Sequence, residues 1–401
     1  MPERSKRHHY VPQLLLKGFA DGADNVATMD RRNSRSFVQP ILTAAAENDY
    51  NTIRDADGSP SDMAEKAMSQ FEGAAAAAID RMRGRGWLEG SDERSHVARL
   101  IALQYLRVPR QREFSSAIAS TIAKLQIAGG GPAAIRSEME SRGLQPTDDD
   151  VLAEWERIAN FDSWDVEVPT EHHLAQNFSM VDEVAEILYA GFHWTVAHWT
   201  RRALLTSDHP VVLEAAPDHP EWSGVGVATA GTILLAIGRR TALVLTHRAE
   251  LERAGKLDLP EGIALAGSFS LARDLNQRTA LQARRWLYHH PDEVPSDLLG
   301  RFFELPPPPK HVLDPETGTD LRDNLRSVAE WAFKNPEKPH PFTRLPAPPA
   351  PPPDARPPVF DGRGQRWRAV DDRIAELRAT TPEPTLQRED GPPRTSEERR
   401  R

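Results

Sequence analysis

The sequence predicts an α+β protein: a helical N-terminal two-thirds packed on a mainly antiparallel sheet, followed by a Pro-rich disordered tail. Three observations predict it. Helical periodicity dominates residues 59–191. The pattern then switches to alternation at Phe192-His193-Trp194-Thr195-Val196-Ala197-His198-Trp199, with short strand-like runs beyond it. About half of the 34 prolines fall between Pro306 and Pro358, where the composition no longer supports a core. Helices grouped before strands, without regular alternation, give α+β and not a doubly wound sheet. The 401 residues divide accordingly into a core domain over 1–303 and a Pro-rich, charged tail over 304–401.

The elements follow in order. Pro12 suits the first turn of a short helix carrying Leu14, Leu15 and Phe19, interrupted by Gly18 and Gly22. Residues 25–30 and 36–41 read as two strands around the polar turn Arg31-Arg32-Asn33-Ser34. Ser59-Pro60-Ser61-Asp62 reads as a helix start, with Ser59 as cap and Pro60 in the first position. Ala64, Met68, Phe71, Ala75, Ile79 and Met82 then recur at the helical period until Gly84 and Gly86. A second helix starts at Ser91, where Asp92 and Glu93 meet its positive end, and carries Val97, Ile101, Gln104 and Val108 in one stripe as far as Pro109. Periodicity resumes over 114–127 and breaks at Gly129-Gly130-Gly131-Pro132. Shorter helices follow over 133–142 and 148–160, and a longer one over 171–190, ended by Gly191. Beyond the alternating stretch, 203–206 and 211–214 read as strands. Residues 232–237 and 242–246 pair as a hairpin across Gly238-Arg239-Arg240-Thr241. A last helix is expected over 270–288, and a short one over 371–379 inside the tail.

Composition removes whole classes of chemistry. Without cysteine there is no disulfide framework, thiolate zinc site, cysteine nucleophile or iron–sulfur cluster. No apolar run approaches the roughly 20 residues of a membrane helix, and residues 1–9 are charged where a secretory signal is apolar. The cytoplasm is the expected location. The net charge of −9 disfavours broad nucleic-acid affinity, although Arg4, Lys6 and Arg7 make a local basic arm. A Walker A loop, a G-x-S-x-G elbow, a helical i,i+4 histidine pair and a G-x-G-x-x-G turn are all missing.

Four constellations carry the remaining chemistry. In His8-His9-Tyr10-Val11-Pro12-Gln13 adjacent histidines of an extended backbone point to opposite sides, so one at most faces a given pocket. His9 is then a base or metal ligand, against the plainer reading of a solvated terminal arm. Glu72 sits inside the apolar period of its helix, with Glu65 two turns earlier. It is either a buried acid, base or metal ligand, or half of a structural ion pair with an arginine. Gln104 is a buried amide that must have partners, either orienting a carboxylate or substrate or locking helices together. Arg107 and Arg110, just beyond it, hold an anion or simply pair with Glu72. In Thr206-Ser207-Asp208-His209-Pro210, Asp208 binds a metal or orients His9, or the segment is only a turn.

These segments together resemble one family, an uncharacterised and mainly bacterial group, domain of unknown function 4238. The resemblance rests on His8-His9-Tyr10-Val11-Pro12-Gln13 with Leu15 and Phe19, on Glu47-Asn48 with Tyr50, and on Glu72. It rests further on Gln104-Tyr105-Leu106-Arg107-Val108-Pro109-Arg110, on Leu205-Thr206-Ser207-Asp208-His209-Pro210-Val211, and on Asn276 with its Ala-containing helix. It spans about residues 7–290 and leaves out the tail. Where the family usually carries a Pro-Leu-Ser-Pro-like strand end, this chain reads Ala236-Ile237-Gly238-Arg239. The resemblance implies a shared site and names no reaction.

Two functional expectations follow. In the first the chain is a hydrolase, metal-assisted, with phosphodiester hydrolysis as the leading reaction. His9, Glu72, Gln104 and Asp208 are then catalytic, Arg107, Arg110 and Ser207 bind substrate, and a divalent cation sits on Glu72 and Asp208. Nucleic acid is the partner class this implies. In the second the chain is a non-catalytic interaction protein. The same residues form a buried polar lock, and the Pro-rich tail recruits a protein partner.

Overall fold

The computed structural model describes residues 6–54, 59–159, 163–217, 219, 225–258 and 264–293. The proline-rich tail, the boundary expected at 303/304, the helix expected over 371–379 and Arg4 of the basic arm lie outside the described residues. In chain order the elements are β1 (Arg7–His9), α1 (Gln13–Leu16), β2 (Asn25–Asp30), β3 (Arg35–Pro40), β4 (Ala46–Asn48), β5 (Ile53–Arg54), β6 (Pro60–Ser61), α2 (Met63–Arg83), α3 (Gly90–Leu106), α4 (Pro109–Ser141), α5 (Asp148–Ala159), α6 (Thr170–Gly191), β7 (Phe192–His198), β8 (Thr206–Ser207), β9 (Val211–Ala215), β10 (Ala230–Gly238), β11 (Thr241–His247), α7 (Arg248–Arg253), β12 (Ala264–Ala266), α8 (Phe269–Gln282) and β13 (Trp286–His289).

The fold is α+β, with helices and antiparallel sheets. The strands form two main sheets instead of the single sheet expected. One has the order β12-β7-β11-β10-β9, antiparallel except where β12 joins β7. The other, β3-β2-β13-β8, unites the N-terminal hairpin with the last described strand. Short pairs β1-β4 and β5-β6 complete the set. The hairpins expected at 25–41 and 232–246 are present. α3 packs against both α2 and α6. Its C-terminal half is buried nearly all round: Val97, Ala98, Leu100, Ile101, Ala102, Leu103, Gln104 and Leu106 are all inside. A helix surrounded by neighbours has no single apolar stripe, and Val108 has already left the helix as extended backbone.

Several local expectations are corrected. Pro60 does not open α2. Pro60 and Ser61 pair with Ile53 and Arg54, and the helix begins three residues later, behind Asp62, whose carbonyl accepts from Lys66 N–H at 3.0 Å. The strand expected at 203–206 is two residues, Thr206–Ser207. The last helix stops at Gln282, and Trp286–His289 is a strand paired with both β2 and β8. The triglycine break does occur, with Gly131 at φ 57° inside α4. Among the described residues no helix is long and apolar enough to cross a membrane.

The divergent strand end Ala236-Ile237-Gly238-Arg239 has a packing role. A Cβ at Gly18 would stand 2.3 Å from the Ile237 carbonyl oxygen, so only glycine permits this approach. The Arg239 N–H donates to the Gly18 carbonyl at 2.8 Å, and Arg83 Nε donates to the Ile237 carbonyl at 2.6 Å. The N-terminal segment, α2 and the β10 end are thereby tied together.

Candidate functional site

Segment 206–215 steps from one main sheet to the other. β8 pairs with β13 in the four-stranded sheet, and β9, beginning four residues after β8 ends, edges the five-stranded one. Asp208 sits in the step, and its side chain is committed to backbone. One carboxylate oxygen accepts from Arg284 N–H at 2.8 Å; the other accepts from Arg285 N–H at 2.7 Å and Trp286 N–H at 3.0 Å. Its own N–H donates to the Trp286 carbonyl at 3.1 Å. These bonds hold residues 284–286 out of helical register, which is why α8 ends where periodicity alone would continue it. Arg31 closes the same end by donating to the carbonyls of Ala280 and Ala283, each at 2.6 Å, a cation at the negative pole of a helix. Burial pushes the Asp208 carboxyl up, against the three amide donors, which favour its charged form.

The neighbours of Asp208 serve the same step. Ser207 Oγ accepts from His209 N–H at 3.1 Å, a local turn bond. His209 is buried edge-on to Tyr105 with a centroid distance of 6.4 Å, and burial lowers its pKa to about 3, so its ring is neutral. Asn276 accepts from Leu205 N–H at 3.1 Å and donates to the Ala203 carbonyl at 3.0 Å, pinning the approach to β8. Arg110 does not reach Glu72. Its Nη1 donates to the Gln282 carbonyl at 3.5 Å.

A second group lies around the C-terminus of α3. Gln104, fully buried, donates through Nε2 to the Tyr10 carbonyl at 3.0 Å and accepts through Oε1 from Arg107 Nε at 3.2 Å. The Arg107 side chain, 2% exposed, donates through Nη1 to Glu72 Oε1 at 2.8 Å. Its Nη2 is buried with no partner among the described residues. Glu72 is 25% exposed, so the ion pair runs from the interior outward. Tyr50 OH donates to the Arg107 carbonyl at 2.8 Å, and the Tyr50 and Tyr10 rings meet edge-on at 5.8 Å.

His9 stands at the outer side of this group. β1 pairs with β4, His9 opposite Ala46, and the two histidines diverge as extended backbone requires. His8 is buried, with Nδ1 accepting from Asn51 N–H at 2.9 Å. His9 is partly exposed and its Nε2 meets the Ile41 carbonyl at 3.3 Å. A carbonyl only accepts, so Nε2 carries the proton and Nδ1 keeps the lone pair. Burial pulls the His9 pKa down, while the Ile41 carbonyl and the charges of Glu65 and Glu72 pull it up. Glu65 is itself held by Asn51 Nδ2 at 2.9 Å, and Arg112 Nη2 donates to Asn51 Oδ1 at 2.8 Å.

His9, Glu72, Gln104 and Arg107 therefore come together. Asp208, Ser207 and Arg110 belong to the step between the sheets. The two groups communicate through Tyr10, whose hydroxyl lies 3.5 Å from that of Tyr288 on β13. Both tyrosines are buried, and the nearby Asp208 charge helps raise both hydroxyls.

A family model described as "Protein of unknown function (DUF4238)" matches residues 7–293. The chain belongs to this family. The DUF4238 region takes in both polar groups. No curated protein and no solved structure matches the chain.

The donor chemistry of this DUF4238 chain bears directly on the expected cation. Glu72 has one oxygen on Arg107, and Asp208 has both oxygens on amides. Among the described residues no three His, Cys, Asp or Glu side chains are grouped to hold a metal ion. Sequence reasoning missed Asn51, Arg112, His209 and Tyr288. Asn51 adjoins the segment that ends at Tyr50, and His209 stands inside a quoted segment without a role of its own there. Arg112 lies just past the proline that opens α4, and Tyr288 closes the stretch expected to be helical, where the chain instead forms β13.

Proposed function

We propose that the chain is a hydrolase working by general acid–base catalysis at the His9 group. A phosphodiester is its leading substrate class. The observation that carries this reading is the setting of His9: a partly exposed imidazole with Nε2 on the Ile41 carbonyl, which leaves Nδ1 as the lone-pair nitrogen, in a ring that feels the charges of Glu65, Glu72 and Arg107. In that role His9 Nδ1 takes the proton of a water or hydroxyl nucleophile, and Glu72 and Glu65 stabilise the imidazolium that forms. Arg107 is a positioning residue. It fixes Glu72 while Gln104 fixes Arg107. No step is routed through a cation.

The test is turnover of bis-p-nitrophenyl phosphate and p-nitrophenyl acetate by the full chain and by His9→Gln, with and without EDTA. Turnover lost in His9→Gln and unaffected by EDTA supports the reading. Turnover abolished by EDTA returns a metal to the mechanism, and turnover equal in both chains removes His9 from it.

A second reading is favoured by the partners of Gln104 and Asp208. Each side chain spends its hydrogen bonds on the fold, at both ends of the Gln104 amide and at both oxygens of Asp208. On this reading the chain is a non-catalytic interaction protein. Absence of turnover on a broad ester panel, with large stability losses in Gln104 and Asp208 variants, selects it.

A further inference from the structure

One end of the five-stranded sheet gathers cations that neither reading uses. The hairpin turn between β10 and β11 carries Arg239 and Arg240. The loop after β7 is laid against it: Trp199 N–H donates to the Arg240 carbonyl at 3.0 Å, and Leu204 N–H donates to the Arg239 carbonyl at 2.8 Å. Arg240 Nη1 also reaches the Thr200 carbonyl. That loop brings Arg201 and Arg202. The end of α2 arrives at the same place through Arg83 and the Ile237 carbonyl, and two residues on it presents Arg85, whose charge is felt by His198 of β7.

Among the described residues the charge at this end is one-sided. Arg239 and Arg240 share a single carboxylate, Glu293, at 3.1 and 2.6 Å. Arg83 is half-sheathed by backbone and pairs with Asp80 at 2.8 Å. Arg85 and Arg201 are exposed and have no ion-pair partner among the described residues. A cationic surface of this size on a chain of net charge −9 is a local reversal of sign, and such a reversal attracts polyanions.

An aromatic platform adjoins the arginines. The guanidinium of Arg202 lies over the Phe269 ring at 3.6 Å from its centroid, and Phe269 is 49% exposed at the start of α8. Trp199 Nε1 donates to the Ser268 carbonyl at 2.8 Å, which holds the start of α8 against the arginine loop. A flat guanidinium backed by an aromatic ring is a surface on which an unpaired base stacks.

We infer that this end of the sheet binds single-stranded nucleic acid, with Arg85, Arg201 and Arg239 on backbone phosphates and a base stacked on the Arg202–Phe269 pair. The inference stands apart from the hydrolytic reading, because it is read as binding and not as turnover. It also differs from the basic arm at Lys6 and Arg7, which lies on β1 and its approach.

The experiment is fluorescence anisotropy of a labelled 20-nucleotide oligothymidylate with the full wild-type chain, in EDTA, between 50 and 200 mM NaCl. With three or four phosphates neutralised, the logarithm of the association constant falls against the logarithm of salt with a slope of about −2 to −3. Arg85→Glu with Arg201→Glu, two exposed positions, weakens binding at 50 mM NaCl by about tenfold or more. Phe269→Ala weakens the oligothymidylate more than an abasic oligonucleotide of the same length. Circular dichroism melting confirms that each variant is folded; if the charge reversals do not fold, Arg85→Ala with Arg201→Ala replaces them. The proposal is overturned by absence of binding at 50 mM NaCl, by unchanged affinity in the arginine variants, or by phosphatidylserine vesicles competing the oligonucleotide off the same arginines.

Discussion

Asp208 and Glu72 are carboxylates in two separate polar groups, and they are held in opposite ways. Asp208 is surrounded by backbone amides that ask for a negative charge and take three of its lone pairs. Glu72 is held at one oxygen by a buried arginine and remains 25% exposed at the edge of the group that contains His9. A carboxylate spent on the main chain shapes the fold. A carboxylate fixed at one oxygen and open at the other remains available for chemistry. The difference separates two kinds of carboxylate that look alike in the sequence, and only the second suits the proposed chemistry.

The largest effect expected from breaking this contrast is at Asp208. Asp208→Ala removes a buried acceptor from three amides and releases the end of α8, so it costs about 3 kcal/mol in urea denaturation. Asp208→Asn keeps an acceptor and costs less. A loss below about 1 kcal/mol in Asp208→Ala would show that the amides find other partners and that the contrast is false. Arg107→Met comes next. It strips the cation from a buried pair and leaves Gln104 Oε1 and Glu72 without their donor, at about 3 kcal/mol. Adding Glu72→Gln to it then costs little more, because the two changes remove one interaction.

The same contrast explains what could be read from the sequence. The hairpin at 25–40 and the strand at 192–198 were legible because turn chemistry and alternation are local signals. The fate of residues 283–289 was not, because a carboxylate 76 residues away decides it through the amides of 284–286. Two sheets were read as one for the same reason: β2 finds β13 across the whole chain. At the site, Glu72 and Gln104 were recognisable as polar residues in apolar periods. Their pairing through Arg107 was foreseen only as an alternative, because a helical pattern shows a buried charge without showing its partner.

Smaller in size is a pH effect at the step between the sheets. The His209 ring has a folded pKa of about 3, below the ordinary 6.5. A lowered folded pKa means that the unfolded chain takes up the proton first. Its contribution is therefore whole above about pH 6.5 and is lost as pH falls toward 3, by up to about 1.4 kcal/mol per pH unit. Urea melts of wild type and His209→Asn between pH 7 and 4 should show a shallower slope in the variant. Equal slopes would place His209 in contact with water.

The smallest stability effect, and the sharpest test of the contrast, is at His9. It is partly exposed, it spends one nitrogen on a 3.3 Å bond, and it packs at the rim of the group, so His9→Gln costs under about 1 kcal/mol. If the group is catalytic, the same change lowers turnover by about 100-fold or more, because the removed lone pair is the base. The pH profile adds a signature that packing does not produce. Burial holds the His9 pKa below 6.5, so the base form persists into mildly acidic solution, and kcat/KM falls only as pH drops through that lowered value. Glu72 raises the His9 pKa, so Glu72→Gln moves the acid limb to still lower pH. An acid limb unmoved by Glu72→Gln would separate the carboxylate from the imidazole and leave the Glu72–Arg107 pair as a second piece of architecture, like Asp208.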